Sequence, residues 1–377
     1  EAYEAANPNV TIEMVDLGST DYMTVLATEL SGSGSDFDVV TIKDVPGYAT
    51  LVQKNTLESL DDYITDAGIN LADFNGITDQ VTVDGSLYEL PFRSDYWLIY
   101  YNKDVFDAAG IAYPSNDMTM EDYDALARQL TDTTYGSQVY GCHYHTWRSA
   151  VELFGILDGK HSILDGNYDW MIPYYDMILS EEDDGVCQTY TDLSTEGLHY
   201  SAAFSNGNVA MMNMGSWFIS TLISNLDSGE YDSSLCGNWG IASYPHPDGA
   251  EAGSTIATIT GLAVTSASAN KDAAFDFVNW VSGTEGAKVM ASTGNFPAIM
   301  TDDVINTIAG MAGFPTDEGS KEALNITNAY LEVPYAENVS EINSILDTYH
   351  TSIMNREVTV EEGVASMNEQ VGKILNQ

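Results

Sequence analysis

Aromatic and polar side chains occur together in two short segments of this chain. Residues 144–148, Tyr-His-Thr-Trp-Arg, place two aromatic rings, a histidine and an arginine in a loop before a predicted helix. Trp217 comes two residues after Gly215, at the end of a predicted strand. Flat aromatic faces beside fixed hydrogen-bond donors and acceptors suit the noncovalent recognition of polar solutes, sugars in particular. These segments therefore indicate a binding site.

The same residue types also occur in glycoside hydrolases, where two carboxylates flank the bond that is cleaved. With 57 Asp and Glu residues in 377, however, some carboxylates lie near any aromatic residue by chance. The sequence contains no G-x-S-x-G, G-x-x-x-x-G-K or H-E-x-x-H pattern. We predict a binding protein without catalytic residues, and an extracellular glycoside hydrolase is the alternative.

Composition narrows the possible partners. The chain has 12 basic and 57 acidic residues, a formal net charge of -45, which repels nucleic acid and anionic membranes. Cys142, Cys187 and Cys236 have no metal-ligand spacing and are too few for a disulfide framework. We expect three buried free thiols, with one disulfide pair as the alternative. His143 and His145 alone are weak support for a metal site, and neither a metal nor a cofactor is predicted.

Strands alternate with helices along the chain, which predicts an α/β protein with a parallel sheet covered on both faces. The length exceeds what one hydrophobic core usually organises, so two domains are expected. No apolar run approaches the ~20 residues of a membrane span. The predicted strands are 10–15, 38–42, 96–101, 209–214 and 256–264. The predicted helices are 21–30, 105–109, 120–130, 148–157, 170–178, 194–206, 270–280 and 361–375.

The segment 88–111 carries a specific resemblance. It has the form Y-x-L-P-x(8)-Y-Y-N-K-D-x-F-x-x-A-G-I, in which an apolar strand is followed by a turn and a helix that ends at Gly110. This string resembles the crossover segment of family 1 extracellular solute-binding proteins, the two-lobed receptors of ABC sugar importers. Further segments resemble the same family in collinear order over nearly the whole chain. They are residues 34–40, 204–211, 215–217, and 273–280 with 294–297.

The resemblance implies the two-lobed periplasmic-binding-protein type II fold, in which each lobe has a mainly parallel sheet covered by helices. It divides the chain into an N-terminal lobe of residues 1–93 and 248–295 and a C-terminal lobe of residues 98–243 and 297–377. Hinge crossings are expected near residues 91–98 and 241–247. The family also has a strand and a helix before the position of Glu1, so we expect the folded protein to include an upstream segment.

The resemblance further implies which residues contact the ligand. The family often stacks a sugar ring on a tryptophan at the position of Trp217 and often has a carboxylate at that of Asp95. The alternatives are a core tryptophan and a hinge hydrogen bond. The loop 144–148 matches the sugar loop of the C-terminal lobe. The other expected ligand-binding residues are Lys43, Asp44, Arg93, Tyr144, His145, Trp147, Arg148, Trp170, Thr260, Gly261, Asn295, Phe296 and Tyr335.

Two arginines in these loops leave a choice open. Arg93 and Arg148 either clamp sugar hydroxyls or an acidic substituent, or they neutralise carboxylates such as Asp95. Trp170 likewise either contacts ligand or packs at the start of a helix.

By this resemblance the protein captures an oligosaccharide between its lobes and delivers it to the permease subunits of an ABC importer. It is expected to be a monomer and a cell-surface lipoprotein, anchored through a lipid on the upstream segment, with a periplasmic location as the alternative. Within the same class, a receptor for a non-sugar solute such as a polyamine or glycerol phosphate stays open.

Overall fold

The computed structural model describes residues 1–18, 21–32, 37–74, 76–131 and 139–376. Part of the segment 34–40, residues 34–36, therefore lies outside the described residues. The strands are β1 Val39–Ile42, β2 Leu90–Asn102, β3 Tyr140–His143, β4 Val209–Gly215, β5 Trp239–Ser243, β6 Ser254–Val264 and β7 Asn328–Leu331.

Helices occupy much of the rest of the described chain, and two short 3-10 turns cover Leu71–Phe74 and Asp169–Met171. The first ten helices are α1 Ala2–Ala6, α2 Tyr22–Ser31, α3 Val45–Gln53, α4 Asp61–Ala67, α5 Ile77–Gln80, α6 Lys103–Ala109, α7 Met120–Leu130, α8 Ser149–Ile156, α9 Ile172–Asp183 and α10 Tyr190–Glu196. The remaining helices are α11 Tyr200–Ser205, α12 Trp217–Ser228, α13 Ser233–Cys236, α14 Lys271–Ser282, α15 Thr284–Ala291, α16 Asp302–Ala309, α17 Glu318–Glu322, α18 Val339–Met354 and α19 Val360–Leu375.

The chain divides into two compact units. Unit 1 contains Glu1–Asp95, Thr258–Ile308 and Val333–Ser340. Unit 2 contains Tyr96–Ala257, Ala309–Glu332 and Glu341–Gln377.

In unit 1, β1 pairs antiparallel with the last part of β6, and Val40 lies opposite Ala263. Helix α3 follows β1 directly, because the Asp44 carboxylate accepts a hydrogen bond from the Gly47 amide at the helix start. The core of this unit consists of large apolar side chains that are almost fully buried. They include Tyr48, Leu51, Leu60, Phe74, Ile77, Leu90 and Val264.

In unit 2, β4 is central: β3 runs parallel to it and β2 antiparallel. Strand β5 pairs antiparallel with the same part of β2, and residues 254–257 of β6 run parallel to β7. Residues 96–101 of β2 are buried without interruption, which is why their sequence is continuously apolar and aromatic rather than alternating. This strand carries Trp97 into the middle of the unit.

The turn that follows β2 is fixed by a single side chain. The Asn102 carboxamide oxygen accepts hydrogen bonds from the amides of Asp104 and Val105, which caps α6. Gly110 ends that helix with φ +67°, a backbone conformation that favours glycine. The predicted strand, turn and helix of residues 96–110 are therefore confirmed.

Three predictions of secondary structure are corrected. Residues 10–15 alternate like a strand but are not part of one, and Met14 is 87% exposed; an extended segment forms a strand only when its backbone groups pair with a neighbour. The predicted helix 194–206 is divided between α10 and α11, because Gly197 ends the first with φ +62° and His199 caps the second. The predicted mainly parallel sheets are mixed sheets, since β1–β6, β2–β4 and β2–β5 are antiparallel.

The lobe boundaries also differ in place from those predicted. Residues 248–257 belong to unit 2 rather than to the N-terminal lobe, because β6 pairs with β7 there. Residues 297–308 and 333–340 belong to unit 1 rather than to the C-terminal lobe. The chain passes between the units five times and not twice, at 95–96, 257–258, 308–309, 332–333 and 340–341. The first passage lies within the expected first crossing, and the second lies beyond the expected second one.

Cys142, Cys187 and Cys236 are buried, as predicted, and are free in this structure. Among the described residues, no helix has both the length and the apolar character needed to cross a membrane.

Candidate ligand-binding site

Aromatic side chains from four segments of unit 2 meet in one cluster, which we call the aromatic platform. Its rings touch mostly edge to face, an arrangement that aromatic quadrupoles favour. The platform has a buried base at Trp97, which is 2% exposed, and an exposed rim at Trp147, which is 40% exposed. The platform consists of Trp97, His145, Trp147, His199, Tyr200 and Trp217.

Paired strands place the two central indoles. Trp97 in β2 lies opposite Gly215 in β4, and Trp217 begins α12 directly after β4. The ring centroids of Trp97 and Trp217 are 5.5 Å apart, with planes at 82°. Gly215 leaves the space that the Trp217 ring occupies, since a Cβ there would overlap the ring. The G-x-W sequence therefore has a packing explanation in this unit.

Tyr200 holds Trp217 from the side. It begins α11 after His199, whose ring nitrogen caps the helix, and the two rings lie 4.0 Å apart. The Trp217 indole N–H donates a hydrogen bond of 3.1 Å to the Tyr200 hydroxyl. A hydrogen-bonded indole keeps one orientation, and the Trp217 side chain is partly exposed, so a ligand would meet it in that orientation.

The loop between β3 and α8 supplies the exposed rim. Trp147 lies 6.2 Å from Trp217 and 5.7 Å from Tyr200, and His145 packs against it at 4.6 Å. Burial, together with the nearby His199, lowers the pKa of His145 to about 4. At neutral pH His145 is therefore an uncharged part of an apolar surface.

A carboxylate lies beside the platform. The Ser149 hydroxyl donates a hydrogen bond to the Glu332 carboxylate. Burial and the charge of Glu152 raise the pKa of Glu332 to about 7. Hydrogen bonds from Ser149 and Trp97 act in the opposite direction. The interaction with Trp97 means that Glu332 lies next to the buried base of the platform. A carboxyl group at this position can accept hydrogen bonds from ligand hydroxyls.

Two neighbours of Trp147 lie inside unit 2 and not on its surface. Tyr144 is buried against Tyr123 and Phe154, so the predicted ligand contact is corrected to a core position. Arg148 is buried and pairs with Glu152 and Asp347, each at 2.5 Å. It neutralises carboxylates, the second of the two roles considered for it.

Trp170 is separate from the platform. Its ring fills the space above Gly155 of α8, where a Cβ would overlap it, and it packs 5.1 Å from His161. Its packing at a helix start is the alternative considered for it, and a ligand contact by Trp170 stays a prediction.

Unit 1 contains the other predicted site residues. Arg93 and Asp95 form an ion pair of 2.6 Å, and the Asp95 side chain is only 7% exposed. As with Arg148, the arginine neutralises a buried carboxylate. Whether Asp95 also contacts a ligand stays a prediction.

Gly261 has a clear structural reason. It lies opposite Ile42 in the β1–β6 pairing, and a Cβ at residue 261 would overlap the Glu89 carboxylate. Glu89 is fully buried, and neither of its oxygens has a hydrogen-bond partner among the described residues. Burial, with a contribution from Asp44, raises the pKa of Glu89 to about 8.

The remaining predicted residues of unit 1 are dispersed. Lys43 is exposed, Asn295 donates to Thr293, and Tyr335 packs edge-on against Tyr48. Phe296 is fully buried, because residues 296–298 pair with residues 92–94, which corrects its predicted ligand contact to a core position. The ligand roles of Lys43, Asp44, Thr260, Asn295 and Tyr335 stay predictions.

Sequence reasoning missed four residues around the platform. Trp97 was hidden in a run that predicts only a buried strand, and Tyr200 in a segment predicted to be mid-helix. His199 immediately precedes Tyr200. The signal available in the sequence was Gly197, which ends one helix, followed by a residue that can cap the next. No local signal marked Glu332, which reaches the platform through the fold alone.

The composition of the platform suits noncovalent binding of a polar solute. Its rings offer apolar faces, and Tyr200, Ser149 and Glu332 offer polar groups at the side. Apolar faces with a few fixed polar groups are the usual composition of a small-molecule site. The site and the α/β fold in two units define a solute-binding protein.

The comparisons with known proteins agree with this class. Residues 1–288 match the family model of the bacterial extracellular solute-binding proteins, and the chain belongs to that family. A sugar transporter from Rhizobium etli, solved in an open conformation, is 47% identical over 98% of this chain and 94% of that chain, with a TM-score of 0.90. The two-lobed α/β fold of these binding proteins is thus the fold of this chain.

More distant relatives name particular ligands. The mannitol-binding protein of Pseudomonas aeruginosa is 23% identical over 299 residues, 77% of this chain and 66% of that protein. This chain thus spans about two thirds of that relative's length. An ABC substrate-binding protein from Listeria monocytogenes, in complex with cycloalternan, has the same fold with a TM-score of 0.81 and 22% identity over all of this chain and 94% of that one.

Proposed function

We propose that this protein binds a carbohydrate, with sugar rings stacked on the aromatic platform, and delivers it to the permease subunits of an ABC importer. The observation that carries the proposal is the exposed Trp147 ring beside the oriented Trp217 ring. Pyranose rings present flat C–H faces to such surfaces, and their hydroxyls take hydrogen bonds at the edge.

An oligosaccharide is favoured over a single sugar or a polyol. The two outer indoles, 6.2 Å apart at their centroids and tilted by 57°, offer separate faces to successive rings of a chain. The named ligands of the relatives support a carbohydrate, and they include both a polyol and an oligosaccharide.

The family is extracellular, which is consistent with capture of a solute outside the cytoplasm. A lipid anchor, a monomeric state and the absence of turnover stay predictions. Turnover is tested by incubating the protein with its ligand and following products by chromatography. Steady release of shorter sugars would revive the glycoside hydrolase alternative.

The ligand is tested by a calorimetric screen of α- and β-linked oligosaccharides, monosaccharides and polyols. We expect saturable binding of an oligosaccharide by the native chain and by Trp280→Ala, and at least tenfold weaker binding by Trp217→Ala. Trp280 is the matched control, because it packs edge-on against Tyr3 in unit 1. Equal affinities for Trp217→Ala and the native chain would contradict the proposed site, and tight binding of a polyol alone would contradict the oligosaccharide.

A further inference from the structure

Two cysteines and a glutamate meet inside unit 2, away from any role in the proposed function. The Cys142 and Cys187 sulfurs and a Glu181 carboxylate oxygen all lie within 4.8 Å of one another. All three residues are buried, and Glu181 is fully so. The sulfur and carboxylate donors come from three segments: β3, α9 and the loop that follows α9.

The Glu181 carboxyl group is the unexplained member of this cluster. By hydrogen-bond geometry neither of its oxygens has a partner among the described residues, and the hydroxyls of Tyr123 and Tyr144 are likewise unpartnered. The Tyr144 and Asp124 side chains are close enough to interact with this carboxyl group, and burial raises its pKa to about 8. Leaving a buried carboxyl group without a partner is costly, so such groups are normally paired or bound to a cation. A bound cation would satisfy it.

The backbone holds these donors in place. The Val186 amide donates a hydrogen bond of 2.8 Å to the Glu181 carbonyl, closing the turn after α9. The Cys142 amide donates in turn to the Val186 carbonyl at 3.4 Å. Both backbone hydrogen bonds are made by Val186, the residue before Cys187. They hold Glu181, Cys142 and Cys187 close together whatever their side chains bind.

We propose that Cys142, Cys187 and Glu181 form a structural site for a thiophilic divalent cation, Zn²⁺ in particular. Zinc takes four ligands from thiolates, imidazoles and carboxylates, at about 2.3 Å from sulfur and about 2.0–2.2 Å from oxygen. Binding releases the two thiol protons and the proton held by Glu181 to solvent, so that the ion gains two thiolates and one carboxylate. A water molecule would complete the four ligands of the ion.

Charge around the site is compatible with this ligand set. Two thiolates and a carboxylate around Zn²⁺ leave one net negative charge. Arg128, which pairs with Asp124 and Asp184 at 2.8 and 2.6 Å, also interacts electrostatically with Glu181 and Cys187 and so lies near enough to offset part of that charge.

A disulfide between the two cysteines is the competing outcome, since exported proteins meet an oxidising environment. It would join the sulfurs but leave Glu181 without a partner. Cys236 differs from both, because its thiol donates to the Asp232 carbonyl at 3.7 Å and lies apart from the cluster. It therefore provides a matched control of the same residue type.

The site would strengthen the part of unit 2 that carries the platform rim. Strand β3 ends at His143, and the loop that follows it contains His145 and Trp147. A cation bound at the strand end would tie this loop's origin to α9. Its loss should lower the melting temperature whether or not the protein binds a sugar.

The test titrates reduced, untagged, metal-free protein with Co²⁺ alone as a spectroscopic substitute for Zn²⁺. We expect one ion per chain, a near-ultraviolet thiolate-to-cobalt band, visible bands of a tetrahedral ion, and displacement by Zn²⁺. Because outer-shell changes alone cost metal sites about 10–100-fold in affinity, Cys142→Ser, Cys187→Ser and Glu181→Gln should each weaken binding at least tenfold. Cys236→Ser should bind as the native chain does.

Three outcomes would overturn the proposal. The first is a native chain without the thiolate-to-cobalt band, and the second is a band that Cys236→Ser abolishes. The third is exported protein whose mass is lower by two hydrogen atoms, with Cys142 and Cys187 linked in one peptide pair. If a serine variant does not fold, Glu181→Gln and the native titration still decide the matter, and neither readout depends on sugar binding.

Discussion

The indole N–H of Trp217 donates a hydrogen bond to the hydroxyl of Tyr200, 3.1 Å away, across the start of two helices. The contact fixes the orientation of the ring that the proposed site depends on. It also links α11 to α12, which β4 separates in the chain.

Tyr200→Phe should weaken ligand binding while leaving the fold intact. The change removes only the hydroxyl and leaves the Trp217 N–H without this acceptor, at a cost of about 0.5–1.5 kcal/mol, or roughly a threefold to tenfold loss of affinity. Calorimetry and thermal unfolding check both parts. Tyr190→Phe is the control, because its hydroxyl bonds Thr351 in the same unit. Equal losses of affinity in both variants would refute a specific role for Tyr200.

Trp147→Ala and Trp170→Ala should have opposite effects. Trp147 is 40% exposed, so its loss should weaken binding by about 1–3 kcal/mol and change the melting temperature little. Trp170 fills the space above Gly155, so its loss should lower the melting temperature and leave affinity unchanged. Measuring both quantities for both variants separates ligand contact from packing. A Trp147→Ala variant with native affinity would remove the rim from the site.

Arg93→Gln should destabilise the protein through Asp95. It takes the ion-pair partner from a carboxylate that is only 7% exposed. The expected loss in free energy of unfolding is about 1–3 kcal/mol, below the 3–5 kcal/mol of fully buried pairs because Arg93 is partly exposed. The double variant Arg93→Gln/Asp95→Asn should recover most of it, as measured by urea denaturation. A double variant no more stable than Arg93→Gln would show that the pair is not the cause.

Glu89 should make stability fall as pH rises. Its pKa of about 8 in the folded protein exceeds that of an unfolded glutamate, so folding retains a proton that unfolding releases. The contribution of Glu89 to the free energy of unfolding is largest below the pKa of an unfolded glutamate, and it is lost as pH rises through about 8. Asp44 and Tyr48 are the charged or titratable neighbours that interact with Glu89.

Between about pH 6.5 and 8, the free energy of unfolding should fall by about 1–2 kcal/mol through this group. Glu89→Gln should reduce the fall by that amount, although Glu332, with a pKa of about 7, and Glu181, with a pKa of about 8, keep part of the slope. Glu13→Gln, at an exposed position, is the control. An identical pH profile for Glu89→Gln and the native chain would show that Glu89 does not retain the proton.

Salt should stabilise the protein. A net charge of -45 makes the folded chain repel itself, and sodium chloride screens that repulsion over about 10 Å at 0.1 M and about 3 Å at 1 M. The melting temperature should therefore rise between these concentrations at constant pH. Sucrose, which does not screen charge, gives the comparison for general co-solvent effects. A flat or falling melting temperature in sodium chloride would mean that the acidic groups are too dispersed to repel.

Local sequence determined the elements and the family. Helix α7 occupies residues 120–130 as predicted, because Thr119 and Asp122 form a capping box at its start. The β2–α6 segment is determined by a buried apolar run, the Asn102 cap and Gly110. Each of these features affects only residues close to it in the sequence. The class of protein was predictable for the same reason: its segments are local strings in a fixed order.

Tertiary structure alone decided which predicted residues meet. Trp147 and Trp217 come together because β3 and β4 are neighbours, while Tyr144 and Phe296 turn inward where their segments pack. Residues 10–15 have the alternation of a strand without a paired neighbour, and pairing is not a local property. The proximity of Glu332 to Trp97, and of Glu181 and Cys187 to Cys142, depends on which chain segments the fold makes adjacent. Side-chain spacing along the sequence does not contain that information.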